Sequence, residues 1–262
     1  MKISLVDIGA NLGHESFDHD LPEVIQRAVA AGIVHQLVTG TTLAASRKAL
    51  SLCHQYPNLS ATAGIHPHEA AHADTDTLRG IRALLDDPLI RAVGETGLDF
   101  NRDYSPRPVQ ESVFAEHLLM AVQTGKPVFL HQRDAHSRFY PMLKDYRDQL
   151  AGGVVHCFTD EKTALYDYLD MDMYIGITGW ICDERRGQHL LELVKDIPHD
   201  RLLLETDAPY LLPRSLRPKP KSRRNEPAYL TEVLHTVAHF CERSPALIAE
   251  ETTANARRLF GF

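Results

Sequence analysis

Two hydrophobic patterns alternate along the chain. Eight short runs rich in Val, Ile and Leu, at residues 3–9, 33–40, 59–65, 90–95, 127–131, 153–157, 173–178 and 201–206, show little polar alternation. Such runs suit parallel strands covered on both faces. Between them lie amphipathic stretches with helical spacing, at 20–31, 43–55, 75–85, 135–150, 161–169 and 186–194. Another helix is predicted after Ser105 and Pro106, read as cap and first-turn proline; it carries Val109, Val113, Phe114 and Leu118 and stops at Gly125. Two more helices, at 227–241 and 244–260, close the chain. Eight strands each followed by a helix, at roughly 20–37 residues per unit, predict an α/β fold of the TIM (β/α)8 barrel type. The alternative is an open doubly wound sheet, which usually carries a glycine-rich phosphate loop after its first strand. Gly9-Ala10-Asn11-Leu12-Gly13 is a poor version of one. No linker, low-complexity tract or internal repeat interrupts the pattern, so residues 1–262 read as one domain.

Composition narrows the class without changing the fold. At 44% hydrophobic and 24% charged residues the chain has the balance of an ordinary globular protein. Cys53, Cys157, Cys182 and Cys241 form no CxxC pair and read as free thiols of a reducing compartment. The segment before Asp7 is too short for a signal-peptide core, and no apolar run approaches the ~20 residues of a membrane span. A cytoplasmic protein with no membrane partner is expected, and nothing in the sequence demands an oligomer, so a monomer is the default.

Four residues far apart in sequence fall at equivalent places. Glu95, His131, His156 and Asp207 each follow a strand-like run. If those strands are parallel neighbours, two imidazoles and two carboxylates converge where α/β active sites form. Carboxylate oxygens supply charge and imidazoles fix geometry, as a catalytic divalent metal requires. Singly, each has a duller reading: a solvated or capping carboxylate, or a core histidine bonded to carbonyls. Asp207, after the eighth strand, is placed to bind metal and to take a proton from a metal-bound water. Glu95 lies between glycines and reads as a carboxylate bridging two metals. His66, after the third strand, is a candidate ligand or donor to a developing negative charge. Asp7 and Asn11, after the first strand, come next.

His68-Glu69-Ala70-Ala71-His72 satisfies the zincin pattern H-E-x-x-H, but Pro67 immediately precedes it. Both histidines would need to lie well inside one helix, so His72 is expected to be a plain surface residue. From Arg214 to Arg224, six cations fall in eleven residues of a chain whose net charge is −7. A concentrated basic loop on an acidic protein implies local anion recognition, and its place after Asp207 predicts that it overhangs the site. Arg223 and Arg224 in that loop, with Arg102 and Arg133 after the fourth and fifth strands, are candidate phosphate contacts. Trp180, the only tryptophan, is either a base-stacking surface or a hydrophobic lid.

The blocks DIGAN, TAGIHPH, AVGETGLDFNRDYS, PVFLHQRDAH, VVHCFTD, YIGITGWICDERRG, LLLETDAPYLLPR and SRRNEPAYL together resemble the TatD family of metal-dependent deoxyribonucleases, from the first strand to the final helices. The resemblance implies a metal-dependent hydrolase barrel of the amidohydrolase type. It also implies 3′–5′ exonuclease action on single-stranded DNA and RNA, supported by magnesium, with a role in repair after oxidative damage. Glu95, His131, His156 and Asp207 fall on the family's metal-site positions, Glu95 and Asp207 together with His66 being the expected catalytic groups. Many relatives carry H-x-H after the first strand; Asp7-Ile8-Gly9-Ala10-Asn11 has no histidine. That departure favours a hard cation, Mg²⁺ with Mn²⁺ as substitute, and one tight site beside a weak one. The alternative function is a metal-dependent carbonyl hydrolase on the same scaffold, an aminoacyl-tRNA deacylase or amidohydrolase.

Overall fold

The computed structural model describes residues 3–262; Met1 and Lys2, which begin the segment judged too short for a leader, lie outside them. Eight parallel strands follow one another around a single sheet in chain order. They are β1 (Leu5–Ala10), β2 (Ile33–Val38), β3 (Leu59–Ala63), β4 (Ile90–Asp99), β5 (Val128–Arg133), β6 (Gly153–Val155), β7 (Tyr174–Ile177) and β8 (Leu202–Leu204). Beyond β8 the sheet closes on itself: Asp207 N donates to Gly9 O at 2.7 Å and Asn11 N to Ala208 O at 2.7 Å. The TIM-barrel expectation is met.

Helices α1 (Leu21–Ala30), α2 (Leu43–Gln55), α3 (Thr75–Leu84), α4 (Arg107–Thr124), α5 (His136–Tyr146), α6 (Lys162–Asp170), α7 (Gln188–Leu193), α8 (Leu230–Phe240) and α9 (Pro245–Phe260) accompany the strands. Their ends are written in local chemistry. Thr42 caps α2 by accepting from Ala45 N at 3.0 Å, and Asp74 caps α3 by accepting from Thr77 N at 2.7 Å. Gly125, at φ 65°, ends α4 in the left-handed conformation that L side chains avoid. Ser105 is not the cap of α4. Its hydroxyl donates to His68 O and accepts from Ala71 N, both at 2.9 Å, which leaves Pro106 at the cap position.

The barrel is filled by Val6, Ile8, Leu37, Ala92, Phe129, Val154, Tyr174 and Leu203, and Ala256 and Phe260 of α9 pack against this filling. Each large apolar side chain buried here stabilises by about 1.5–3 kcal/mol. A second apolar layer lies between strands and helices. Phe129 is the upper member of the filling, with its ring 4.7 Å from that of His156.

Every strand departs from its predicted bounds by at least one residue, and at β4, β6 and β8 the structure shows the reason. The β4 strand runs on to Asp99 because it stays paired with β5 as far as Asp99↔Arg133. Gly97 permits that approach: at φ 144° a Cβ there would meet His131 O. The β6 and β8 ladders end early because buried carboxylates take over their donors. Cys157 N donates to Glu205 Oε1 at 2.5 Å, and Thr206 N to Asp7 Oδ1 at 2.9 Å. Beyond those points the chain turns, with φ 46° at Cys157 and 55° at Asp207.

Asp7 is therefore a seam between first and last strands. Fully buried, it also accepts from Gly9 N at 3.2 Å and from the Thr206 hydroxyl at 2.5 Å. Burial pushes its carboxyl up to about 7 against those stabilising donors. The folded pKa lies above the unfolded one, so this proton contributes stability that is full below about pH 4 and is lost as pH rises through about 7. Asp7→Asn keeps both backbone bonds through its oxygen and presents N–H to the Thr206 hydroxyl. It should exceed wild type in urea unfolding by more at pH 8.5 than at pH 5. Asp7→Ala, leaving two buried N–H groups unpaired, should lose about 2–4 kcal/mol at pH 5 and less at pH 8.5, where wild type has lost the stability carried by its proton. A wild type that gains on Asp7→Asn between pH 5 and 8.5 would contradict this reading of the seam.

Candidate metal and active site

The C-terminal ends of the strands surround a cavity of about 970 Å³ whose lining includes Asn11, His66, Glu95, Asp99, His131, His156 and Asp207. At its floor Glu95 is the hub. One oxygen, Oε1, lies 2.7 Å from His156 Nε2, 3.1 Å from His131 Nδ1 and 3.3 Å from His66 Nε2. Glu95 and His131 lie within β4 and β5, not just beyond them as the apolar runs suggested; His156 does follow β6 directly. Ligand atoms of His66, Glu95 and His131 all fall within 4.8 Å of one another.

A second layer holds these rings. His131 uses its other nitrogen on Asp99 Oδ2 at 3.3 Å, and His68 Nε2 meets the same oxygen at 2.7 Å. His156 Nδ1 faces Glu205 Oε2 at 3.3 Å. Glu205, fully buried, occupies a slot made by two glycines: a Cβ at Gly9 would lie 2.3 Å from its Oε2, and one at Gly176 2.4 Å from its Oε1. His66 Nδ1 accepts from His68 N at 3.1 Å. Its neutral ring therefore carries the proton on Nε2 and presents a donor to Glu95.

Charge explains the titration pattern. Burial alone would depress His156, but Glu95 and Glu205 hold it well above the ordinary imidazole range. His131 is likewise raised, against burial, by Asp99 and Glu95. Glu95 is held well below the carboxylate range although it is buried, chiefly by His156 and His66. His66 goes the other way: burial lowers it to about 4, so it is neutral at pH 7. Asp207 is pushed up to about 7 by burial, with Glu95 and Glu205 adding repulsion and His156 opposing. Its Oδ1 accepts from Asn11 Nδ2 at 3.0 Å, so it lines the same cavity without joining the cluster around Glu95.

The phosphate candidates divide. Arg102 and Arg133 line the cavity mouth, where Arg133 Nη1 donates to Thr159 Oγ1 at 2.7 Å. Arg224 is spent inside the protein, bound to both oxygens of Asp20 at 2.7 Å and to Glu226 at 2.9 Å. Arg223 is exposed and lies outside the cavity lining. The basic loop does not overhang the floor, since Arg214 at its start pairs with Glu184 at 2.8 Å. The zincin pattern falls on a six-residue 3₁₀ turn, Pro67–His72, with the His72 side chain 81% exposed. That geometry excludes a shared metal for His68 and His72.

Two functional carboxylates escaped the sequence reading, Asp99 and Glu205. Strand alternation was the available signal, since Glu95 and Asp99 share one face of β4 and Glu205 sits two positions before Asp207.

Comparison with known proteins agrees with the geometry. The family model described as TatD related DNase matches residues 6–261. The chain is 49% identical over 257 residues to the 3′-5′ ssDNA/RNA exonuclease TatD of Citrobacter rodentium, covering 98% of each. Among solved structures, a TatD homologue from Escherichia coli superposes with a TM-score of 0.91 at 26% identity, over 100% of both chains. A TatD family hydrolase from Entamoeba histolytica gives 0.90 at 25%, over 99% of both.

The Glu205 slot is directly testable in metal-free protein. Glu205→Gln keeps an acceptor for Cys157 N but removes one of the two carboxylates facing His156, so the His156 pKa should fall in an NMR titration. Gly176→Ala should cost about 1–3 kcal/mol by forcing Glu205 out of place. An unchanged His156 titration in the first, or wild-type stability in the second, would sink the slot as described.

Proposed function

The chain belongs to the TatD-related DNase family, and from that premise we propose that it is a 3′–5′ exonuclease of single-stranded DNA and RNA supported by a divalent cation. The observation that carries this reading is an acidic, imidazole-lined floor beneath a mouth bearing Arg102, Arg133 and Arg186. Cations are attracted to the floor and phosphates to the mouth, which is the charge order a phosphodiesterase needs.

The floor fits a metal. The nitrogens of His131 and His156 lie 3.1 and 2.7 Å from Glu95 Oε1, close to the ~3 Å spacing of neighbouring ligands around an ion at ~2.1 Å. The protons now compensating Glu95 and its neighbours would be exchanged for the ion's charge. Glu95, His131 and His156 would hold it, with Asp207 serving a weaker second position. Mg²⁺ is the expected ion and Mn²⁺ a substitute, because Asp7 and Asn11 flank no histidine pair after β1. Such an ion supplies Lewis-acid polarisation of a phosphoryl oxygen and an acidified water.

The chain's own residues supply the remainder. Asp207, titrating near neutrality and oriented by Asn11, is placed to receive a proton from the attacking water. His66, neutral at pH 7, is the proposed donor to charge on the phosphate through Nε2, the N–H that faces Glu95 in this structure. Arg102 and Arg133, which line the cavity, contact phosphates of the strand at the mouth. A role in trimming damaged strand ends during repair rests on the family resemblance.

EDTA-stripped protein incubated with 3′- and 5′-labelled single strands should release mononucleotides from the 3′ end only when Mg²⁺ or Mn²⁺ is restored. Glu95→Ala should lose on the order of 10³-fold or more in rate. Excess Mg²⁺ should also raise the melting temperature of wild type but not of Glu95→Ala. No cleavage with either ion, coupled with metal-dependent release of amino acid from aminoacyl-tRNA, would transfer the assignment to the carbonyl hydrolases.

A further inference from the structure

The mouth of the cavity is not uniform around its circumference. Over β8, β1 and β2 it is lined by Asn11, His14, Thr41 and Tyr210, and over β5 and β7 by Arg133, Trp180 and Arg186. Trp180 projects from a 3₁₀ turn, Gly179–Cys182, anchored by the buried Ile181 and Cys182. Its indole carries two cations: the Arg186 guanidinium carbon is 4.4 Å from the ring centroid and that of Arg133 is 5.1 Å away. A guanidinium on an aromatic face can still donate from its N–H edge. Arg133 gives Nη1 to Thr159 and Arg186 gives Nε and Nη2 to Asp183, which leaves Arg133 Nη2 and Arg186 Nη1 for an incoming acceptor.

Each cation is only partly neutralised. The nearest carboxylate to Arg133 is Asp134, at 3.8 Å, beyond hydrogen-bond reach. Arg186 has only Asp183, at 3.3 Å, and that one carboxylate is shared with Arg185 at 3.1 Å and Arg214 at 3.7 Å. The arc therefore keeps positive charge, on two planar groups fixed by a common platform. With two guanidiniums on its ring, the indole is committed to positioning cations and not to stacking a base.

We propose that Arg133 and Arg186, held by Trp180, form a subsite for the internal phosphodiester one nucleotide 5′ of the scissile bond, so that the strand leaves the site over β5–β7. The subsite rests on the nuclease reading above, and it needs no metal to bind. The terminal nucleoside then lies toward the uncharged arc of His14 and Tyr210.

The test is binding of a labelled hexanucleotide and a labelled dinucleotide by EDTA-treated full-length protein, followed by anisotropy across a range of NaCl. Wild type should prefer the hexanucleotide, whose binding should perturb the emission of Trp180, the only tryptophan. Arg133→Gln and Arg186→Gln should each bind the hexanucleotide about tenfold more weakly. Each should also lower the slope of log affinity against log salt by about 0.7, the value for one lost phosphate contact on a single strand. Arg186→Lys should restore the salt slope, and Trp180→Phe should retain more affinity than Trp180→Ala. Wild-type affinity and slope in both glutamine variants, or no length preference in wild type, overturns the subsite. Failure of wild type to cleave any strand with Mg²⁺ or Mn²⁺ overturns the nuclease reading instead, so the two failures are distinguishable.

Discussion

The molecule is organised around the burial of negative charge. Asp7, Glu95, Asp99, Glu205 and Asp207 all lie at one end of the barrel, each shielded from most solvent or lining the cavity floor. Isolated carboxylates in such a place would be strongly disfavoured. Each is compensated in a different way: Asp7 by backbone and hydroxyl donors with a proton near neutrality, Glu95 and Asp99 by imidazoles, Glu205 by Cys157 N and His156, Asp207 by a raised affinity for its proton. A bound divalent cation would relieve the same imbalance more fully, which is why a structural peculiarity and a catalytic capacity coincide.

That demand for compensation also shapes the backbone. Where Asp7 and Glu205 capture amide donors, the ladders of β8 and β6 stop and the chain swings into positive φ at Asp207 and Cys157. These are the segments that must leave the sheet to deliver Asp207 and to let His156 face Glu95. Glycines do the complementary work by withholding side chains where a carboxylate has to fit, as Gly9 and Gly176 do around Glu205. Phe129 underlies this layer, so the apolar filling supports His156 from below.

Much of this was legible in the sequence, and the limits have physical causes. The apolar runs located all eight strands because parallel strands are buried on both faces, and the positions of Glu95, His131 and His156 relative to them pointed to one site. Strand ends were misplaced where side chains, not backbone carbonyls, take the last donors, as at Thr206 and Cys157. Charge density in the 214–224 loop was a poor guide to function, because it does not reveal that Arg214 and Arg224 already have partners in Glu184, Asp20 and Glu226. Asp99 and Glu205 were hidden for a related reason: their role is to orient histidines, and that depends on neighbours distant in sequence.

The seam between β1 and β8 has a consequence for when the site exists. Asp7 and Thr206 are 199 positions apart, so joining them closes most of the chain into one loop, whose entropic cost the ordered intervening strands reduce. Pairing of the central strands alone brings Glu95 and His131 together; only the closed seam sets Asp207 beside Asn11. The seam thus ties the placement of Asp207 beside Asn11 to the topological completion of the barrel.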